Sequence, residues 1–317
     1  MRTNAAIFAG EKKRHRLPSH RFSVSKTKGA KMKVIENPKS QAARMRRKML
    51  RTGKIKSINT ANSRYEVWVK IARFCKGNKL GNLESVSFDK LVLFLEQRSE
   101  EVGQSAVNIA RSAAQMLTEK SLPRVKSEFE TAVNSRAFFD EEITMIAGSQ
   151  NARNAFATEI AGYAGLRGHE LHTLRRSEER QTSPHREFHK DLYVGRPGKM
   201  YTVKGKGGLV RPVSLTPELA EQLESLRLPA PIVVYDREIR YESFYDLAGG
   251  KAWAASFTAT CDRGGIRSTG AHGLRHTFAQ KRLAELLALG FSYKKSLGYV
   301  SQAMGHFRTS ITKVYLR

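Results

Sequence analysis

The residues with the clearest chemical potential lie in the segment 272–279, which reads His-Gly-Leu-Arg-His-Thr-Phe-Ala. His272 and Arg275 are three residues apart, so on a helix both side chains project from one face and can hold one phosphate from two sides. His306 follows in a Met-Gly-His sequence, and Tyr315 comes nine residues later. The spacing therefore predicts a phosphate-binding face that is followed by a histidine and a tyrosine.

A second arginine motif lies upstream, where Gly-Leu-Arg-Gly-His-Glu-Leu places Glu170 three residues after Arg167. Taken alone, each motif has an ordinary structural explanation. An Arg–Glu pair at this spacing commonly stabilises the fold. A tyrosine near a chain end usually has no catalytic role. The order of the motifs, with a turn containing Lys206 between them, is what favours a shared site.

The ordered series closely resembles the tyrosine recombinases, the family of the phage integrases and the Xer-like enzymes. The resemblance covers residues 138–317 strongly, whereas residues 59–122 are similar to the core-binding domain of the family only in size, helical pattern and placement. Matched position by position, the resemblance implies a catalytic set and one supporting carboxylate. The catalytic set is Arg167, Lys206, His272, Arg275, His306 and Tyr315, and the supporting residue is Glu170.

The resemblance implies cleavage of a DNA phosphodiester without a metal ion. Arg167 and Arg275 would direct permanently charged, forked donors at the non-bridging oxygens, where they stabilise the five-coordinate transition state most strongly. Tyr315 would attack the phosphorus and form a 3′-phosphotyrosine link. That link conserves the energy of the broken bond, so we expect no nucleotide and no other cofactor.

The other members of the set would handle protons and geometry. Lys206 on its turn resembles the general acid of the family, which protonates the departing 5′-oxygen, and His272 would assist proton transfer near the phosphate. His306 would hydrogen-bond the phosphate and hold the geometry. Lys204 lies two residues before Lys206 on the same strand face, so the choice between these lysines stays open, as does a turn lysine that is merely solvated.

Paired histidines offer an alternative chemistry. His185 with His189, and His272 with His276, have the i,i+4 spacing of paired metal ligands on a helix. Neither pair has a third ligand in an obvious place, so we expect no metal site. The glycines of 205–208 also lack the spacing of a phosphate-binding loop.

The charge of the chain indicates a polyanionic partner. The 317 residues include 56 Lys and Arg against 29 Asp and Glu, a net charge of +27. DNA and RNA are the first candidates, and acidic membrane surfaces are the second. No apolar stretch of about 18 residues exists, the N-terminus does not read as an export signal, and two cysteines give no disulfide framework. We therefore expect a cytoplasmic, nucleoid-associated protein with no membrane partner.

Composition and hydrophobic periodicity divide the chain into four parts. Residues 1–56 contain 18 Lys and Arg but only two acids, which predicts a basic, flexible DNA-binding arm with one helix near 39–50. Residues 57–122 carry helical apolar stripes and predict a helical core-binding domain. Residues 123–137 predict a linker, and residues 138–317 predict the catalytic domain.

Within the catalytic domain, the pattern predicts helices and one hairpin. Residues 200–203 and 209–215 read as two short strands around the glycines of 205–208. The expected fold class is therefore mainly α with a small antiparallel β-sheet (α+β), in which a helical core-binding domain precedes a catalytic domain of the tyrosine-recombinase type.

The resemblance implies a site-specific recombinase or integrase of a mobile genetic element. Such an enzyme exchanges strands between two double-stranded DNA sites through a Holliday junction, as a homotetramer on synapsed DNA, with accessory DNA-bending proteins in some systems. Only two residues follow Tyr315, so we expect no C-terminal helix that docks into a neighbour, and a monomer before DNA is bound.

Three alternatives stay open. A type IB topoisomerase would use the same chemistry as a monomer without sequence preference. A catalytically silent DNA-binding protein would keep the fold and lose the reaction. An RNA-binding or ribosome-associated basic protein would explain the charge, but it would leave the ordered motifs as coincidence.

Overall fold

The computed structural model describes residues 36–128 and 135–316 of the chain. The N-terminal part of this range is a bundle of four α-helices whose apolar faces meet in one core. Trp68 at its centre is fully buried, and its indole N–H donates to the carbonyl of Ala113 at 3.0 Å. The helices are α1 (Pro38–Arg51), α2 (Ile58–Gly77), α3 (Phe88–Glu101) and α4 (Gln104–Thr118).

Helix α1 changes the predicted boundary of the basic arm. It begins after Asn37, whose side chain accepts from the N–H of Lys39, and it buries Met45 and Met49 against α2. Residues 38–56 are therefore part of the helical domain and not of a flexible arm that ends at residue 56. The helix itself was predicted near 39–50, but the arginines and lysines around the methionines gave no sign that it packs into a core. The rest of the predicted arm, residues 1–35, lies outside the described residues.

The C-terminal part is mainly helical and encloses its own core, to which Trp253, Phe257 and Leu274 contribute buried side chains. Its start is fixed by Phe138, whose N–H donates to Oγ1 of Thr277 at 2.7 Å. The helices are α5 (Asp140–Gly148), α6 (Ala152–Ala164), α7 (Pro217–Ser225), α8 (Gly250–Arg263), α9 (Gly273–Ala288), α10 (Tyr293–Ala303) and α11 (Thr309–Thr312). Short 3-10 helices lie at Leu83–Ser85, Gly168–Thr173, Lys206–Gly208 and Lys313–Leu316.

The predicted hairpin is present and belongs to a three-stranded antiparallel sheet with the order β1-β2-β3. The strands are β1 (Arg175–Arg176), β2 (Lys199–Lys204) and β3 (Val210–Leu215). The register pairs Val203 with Arg211 and Lys204 with Val210, so the turn that joins β2 to β3 lies at 205–209. This sheet holds the turn lysine beside the Gly168–Thr173 segment, which contacts β2.

A second, two-stranded sheet was not predicted. It consists of β4 (Arg227–Asp236) and β5 (Ile239–Tyr245). Two prolines lie in the first half of β4, and prolines disfavour a strand. The turn residues Arg237 and Glu238 both have positive φ, 52° and 67°, where Asn-Gly is the usual sequence. The fold class is nevertheless confirmed as mainly α with small antiparallel sheets.

In the described part of the chain, none of the helices combines the length and the apolar character that crossing a bilayer requires.

Candidate active site

Arg275 lies at the centre of the candidate site, fully buried in the first turn of α9. Its guanidinium donates to the carbonyl of Gly165, to the carbonyl of Met304 at 3.1 Å, and lies 3.3 Å from Nε2 of His306. Burial, with the nearby charge of Arg167, lowers the pKa of Arg275 to about 9. The side chain therefore connects the end of α6, the start of α9 and the segment after α10.

Gly165 shows why the sequence folds this way at the first arginine motif. It ends α6 with φ 61°, a left-handed conformation that favours glycine. A Cβ at this position would lie 2.5 Å from the ring of Phe278 on α9. The glycine therefore lets α6 and α9 approach closely, which brings Arg167 and Arg275 to the same region.

Glu170 is a fully buried carboxylate shared by three arginines. Its Oε1 accepts from Arg167 at 2.7 Å, its Oε2 accepts from Arg211 at 2.8 Å, and Arg275 lies 3.9 Å from Oε2. Burial alone would raise the pKa of this carboxyl, but the guanidiniums of Arg211, Arg167 and Arg275 outweigh it and hold the pKa well below its usual range. Three cations against one anion leave the cluster with two positive charges.

Arg211 is the member of this cluster for which no role was predicted. Its buried guanidinium donates to the carbonyl of Ala303 at 2.5 Å as well as to Glu170. These hydrogen bonds connect β3 with the end of α10 and with the 3-10 helix that contains Glu170. A usable signal was present, because Arg211 alternates with Val213 and Leu215 on the inward face of β3, where an arginine requires a buried partner.

Tyr315 lies on the 3-10 turn Lys313–Leu316, with its phenol inside the candidate site. The hydroxyl oxygen is 3.0 Å from Nε2 of His272. The ring centroid lies 4.7 Å from that of His276 and 5.0 Å from that of His306, and the Arg275 guanidinium carbon is 5.6 Å from it. The described structure therefore surrounds this phenol with three imidazoles and a guanidinium.

Both motif histidines are held in the neutral form. Burial, and then the charge of Arg275, lowers the pKa of His272 to about 4. The same two causes, with Arg167 and Arg211 next, lower the pKa of His306 to about 3. A neutral His272 can accept the proton of the Tyr315 hydroxyl, which a charged imidazolium cannot do.

His306 is fixed by its own turn. Nδ1 lies 3.3 Å from Oγ1 of Thr312, while Nε2 faces Arg275. The preceding Gly305 has φ 72°, and a Cβ there would lie 3.1 Å from Cδ of Arg211. The glycine of the Met-Gly-His motif is therefore required by both backbone conformation and close packing.

Lys206 lies on the turn between β2 and β3, and its side chain is exposed. The turn comes close to the arginine cluster, because a Cβ on Gly205 would lie 2.9 Å from Oε1 of Glu170 and 3.6 Å from Nη1 of Arg167. Lys204 is also exposed, at the end of β2. Both lysines line the same cleft as Arg167, so the geometry does not choose between them.

That cleft, about 1070 Å³ in volume, lies between the helical domain and the catalytic domain. Asn59, Asn62 and Arg64 contribute from α2, and Arg46 on α1 reaches across to Glu238 at 2.5 Å. The basic side chains that line it are Arg64, Arg167, Arg175, Arg180, Lys204, Lys206, Arg237 and Arg240. Its electrostatic character therefore suits a polyanion.

The paired histidines have other contacts. His276 packs on Tyr315, and His189 stacks on Tyr299 with ring centroids 4.6 Å apart. Among the described residues, no three His, Cys, Asp or Glu side chains form a group that could hold a metal ion.

No protein-family model matches the sequence, and a sequence comparison with curated proteins gives no match. Solved structures do match. One is the XerH site-specific recombinase bound to its difH substrate, at 17% identity and a TM-score of 0.53, over 88% of this chain and 81% of that one.

Two further matches have similar values. A lambda integrase dimer bound to a COC′ core site matches at 16% identity and a TM-score of 0.53, over 88% of this chain and 76% of that one. The Tn1549 transposon integrase in complex with transposon right end DNA matches at 15% identity and a TM-score of 0.51, over 89% and 95%. At such identities the likeness is one of fold, and the fold of this chain is that of the tyrosine recombinases.

Proposed function

We propose that this chain is a site-specific tyrosine recombinase that cleaves and rejoins double-stranded DNA through a 3′-phosphotyrosine intermediate. The observation that carries the proposal is the position of the Tyr315 hydroxyl, 3.0 Å from a neutral His272 and beside the buried Arg275. A tyrosine that serves only packing needs neither a proton acceptor at its hydroxyl nor a cationic cluster at its ring. The neighbours of like fold, whose structures contain their DNA sites, give the substrate class.

The arginine cluster supplies the phosphate site. Arg167 and Arg275 share one carboxylate with Arg211, so the cluster retains positive charge for the non-bridging oxygens. Charge increases on those oxygens in the five-coordinate transition state, and preorganised donors stabilise it more than the ground state. His306 lies between Thr312 and Arg275, and by accepting from Arg275 it would hold that guanidinium in place beside the phosphate.

The reaction requires two proton transfers, one from the attacking phenol oxygen and one to the departing 5′-oxygen. The phenol oxygen of Tyr315 bonds to phosphorus as its proton passes to Nε2 of His272. The bond from phosphorus to the 5′-oxygen breaks, and a lysine on the β2–β3 turn, Lys206 or Lys204, protonates that oxygen. The reverse sequence rejoins a strand, and a 5′-hydroxyl from a second duplex gives strand exchange through a Holliday junction.

The basic cleft between the domains would hold the duplex. A phosphate backbone is bound mainly by lysine and arginine, and eight such residues line the cleft. Strand exchange between two duplexes requires four active sites, so we propose a homotetramer on paired DNA sites. Integration of a mobile element, with or without DNA-bending proteins, is the biological setting that this reaction fits.

The test is covalent capture. Nicked duplexes tiled across the DNA beside the gene are incubated with the protein in EDTA, and adducts are resolved on a denaturing gel. We expect a protein–DNA adduct at a discrete sequence. Binding of duplex DNA without an adduct would identify a silent DNA-binding protein. Relaxation of supercoiled plasmid without sequence preference would identify a topoisomerase, and a preference for RNA would overturn the substrate class.

A further inference from the structure

One face of α9 carries three polar side chains at consecutive four-residue spacings, namely His272, His276 and Gln280. Residues at this spacing form a single stripe along a helix. Each one meets a different part of Tyr315. Nε2 of His272 meets the hydroxyl at 3.0 Å, the ring of His276 meets the phenol ring, and Nε2 of Gln280 donates to the backbone carbonyl at 3.4 Å.

His276 has no part in the proposed proton path, although it is the imidazole whose ring lies nearest to the Tyr315 ring. Its ring centroid is 4.7 Å from that of Tyr315, with 38° between the planes. The side chain is 5% exposed, and its Nδ1 has no hydrogen-bond partner among the described residues. The ring of His276 is therefore buried against the phenol of Tyr315.

The segment that carries Tyr315 packs on α9 and α10, and Tyr315 and Leu316 contact the buried cluster that includes Phe278 and Ala279 of α9. Helix α11 is four residues long, and Lys313 and Val314 beside the tyrosine are exposed. Thr312 is buried and faces His306, which fixes the start of the turn. The stripe on α9 therefore supplies much of what defines the position of the phenol.

We infer that His276 and Gln280 are positioning residues for the nucleophile, which hold the phenol and the carbonyl of Tyr315 so that its hydroxyl meets His272. The inference rests on the proposed function. Neither residue touches the arginine cluster in the described contacts, so both act on the nucleophile and not on phosphate activation. A displacement of about 1 Å at a reacting group can lower a rate by about 10²-fold.

Cleavage by two different nucleophiles, Tyr315 and added hydroperoxide, distinguishes positioning of the tyrosine from activation of the phosphate. We expect His276→Ala to slow adduct formation by Tyr315 by about 10- to 100-fold, with DNA affinity unchanged, and His276→Phe, which keeps a flat ring, to recover most of the rate. In a Tyr315→Phe background, hydroperoxide can attack the phosphorus in place of the phenol. There, His276→Ala should leave the cleavage rate unchanged.

The matched control is His189→Phe, which alters a histidine stacked on Tyr299 outside the site. It should not change either rate. An equal loss in the tyrosine and hydroperoxide reactions would mean that His276 supports the whole site, and a His276→Ala adduct rate equal to that of the unmodified protein would overturn the inference. Absence of any adduct from the unmodified protein would instead refute the proposed function.

Proteolysis tests positioning without the reaction. Lys313 is exposed within the tyrosine segment, so trypsin cuts after it at a rate set by how often the segment leaves α9. We expect the double variant His276→Ala, Gln280→Ala to be cut there about tenfold faster, with cleavage after the exposed Lys190 as the internal standard. Equal rates at Lys313 would show that α9 does not hold the segment, which would refute the inference whatever the adduct assay gives.

Discussion

The hydroxyl of Tyr315 lies 3.0 Å from Nε2 of His272. The acceptor is neutral, because burial and Arg275 lower the pKa of His272 to about 4. Under the proposed function, the nucleophile and its proton acceptor are therefore within hydrogen-bond distance of each other.

Tyr315→Phe removes the hydroxyl and keeps the ring that packs between His276 and His306. We expect the variant to form no covalent adduct on a nicked duplex while it binds the same DNA with unchanged affinity. Tyr293→Phe, which alters a half-exposed tyrosine on α10, is the control and should react normally. An adduct from the Tyr315→Phe variant would assign the nucleophile to another tyrosine.

Arg275→Lys keeps a positive charge and loses the forked geometry that reaches Gly165, Met304 and His306 at once. We expect the cleavage rate to fall by about 10²- to 10³-fold, and EDTA to leave the rate of the unmodified protein unchanged. Arg282→Lys controls for replacing a buried arginine on the same helix, because Arg282 contacts Leu192 and Glu285 away from the site. Cleavage that EDTA abolishes would refute phosphate activation by arginine alone.

Glu170→Gln leaves three guanidiniums without their shared carboxylate. We expect a loss of about 3–5 kcal/mol in the free energy of unfolding at pH 7, measured by denaturant titration. Glu100→Gln, at an exposed position on α3, should cost almost nothing. A wild-type stability for the Glu170→Gln variant would show that the carboxylate does not balance the cluster.

The same residue gives a pH dependence. The pKa of Glu170 is lowered in the folded state, so between that value and the ordinary value of 4.5 the unfolded chain binds more protons. Its stabilising contribution is therefore complete above pH 4.5 and is lost as the pH falls below it. Stability measured from pH 7 to pH 3 should decline less steeply below pH 4.5 in the Glu170→Gln variant than in the unmodified protein.

The pKa of His272 should rise when a DNA phosphate binds at the site. In the free protein its pKa is lowered to about 4 by burial and by Arg275, and a bound phosphate offsets the guanidinium charge. Titration of the imidazole C–H resonance, assigned with His272→Gln, should therefore give a higher pKa in the DNA complex of the Tyr315→Phe variant. DNA affinity should accordingly rise as the pH falls from the higher pKa of His272 in the complex toward about 4. An unchanged pKa would place the phosphate away from this histidine.

Removal of residues 1–35 should weaken DNA binding and its dependence on salt. These residues contain ten Lys and Arg and one acid, Glu11. Each phosphate contact that is lost lowers the slope of log affinity against log salt by about 0.9. The cut is placed before α1 because Met45 and Met49 belong to the core of the helical domain. An unchanged slope would mean that the segment binds something other than DNA.

The sequence predicted those parts of the site whose signals are local. His272 and Arg275 lie on one helical turn, and Gly165 and Gly305 mark the turns that precede Arg167 and His306. The hairpin around Lys206 was predicted for the same reason, because its glycines and flanking strands lie within 17 residues of one another. Contacts set by short spacing and by turn chemistry can be read from one sequence.

What the sequence did not reveal depends on distant partners. Arg211 pairs with Glu170 across 41 residues, and no spacing rule connects a strand residue to a 3-10 turn that far away. The β4–β5 hairpin has Arg237 and Glu238 at a turn that usually contains Asn and Gly. The helix near 39–50 was predicted, but its place in the core of the helical domain was not, because packing against α2 and not composition decides whether a basic segment joins a core.

The three arginines around Glu170 also have a consequence for the lifetime of the protein. With two unbalanced positive charges in its interior, the unbound chain lacks a counter-ion that a DNA phosphate provides. A ligand that binds only the folded state stabilises it according to its concentration and affinity. Molecules that have found a DNA site should therefore resist unfolding and cellular proteases longer than unbound molecules. Degradation would then remove mainly the unbound pool, which, under the proposed function, would keep the number of idle recombinase molecules in the cell low.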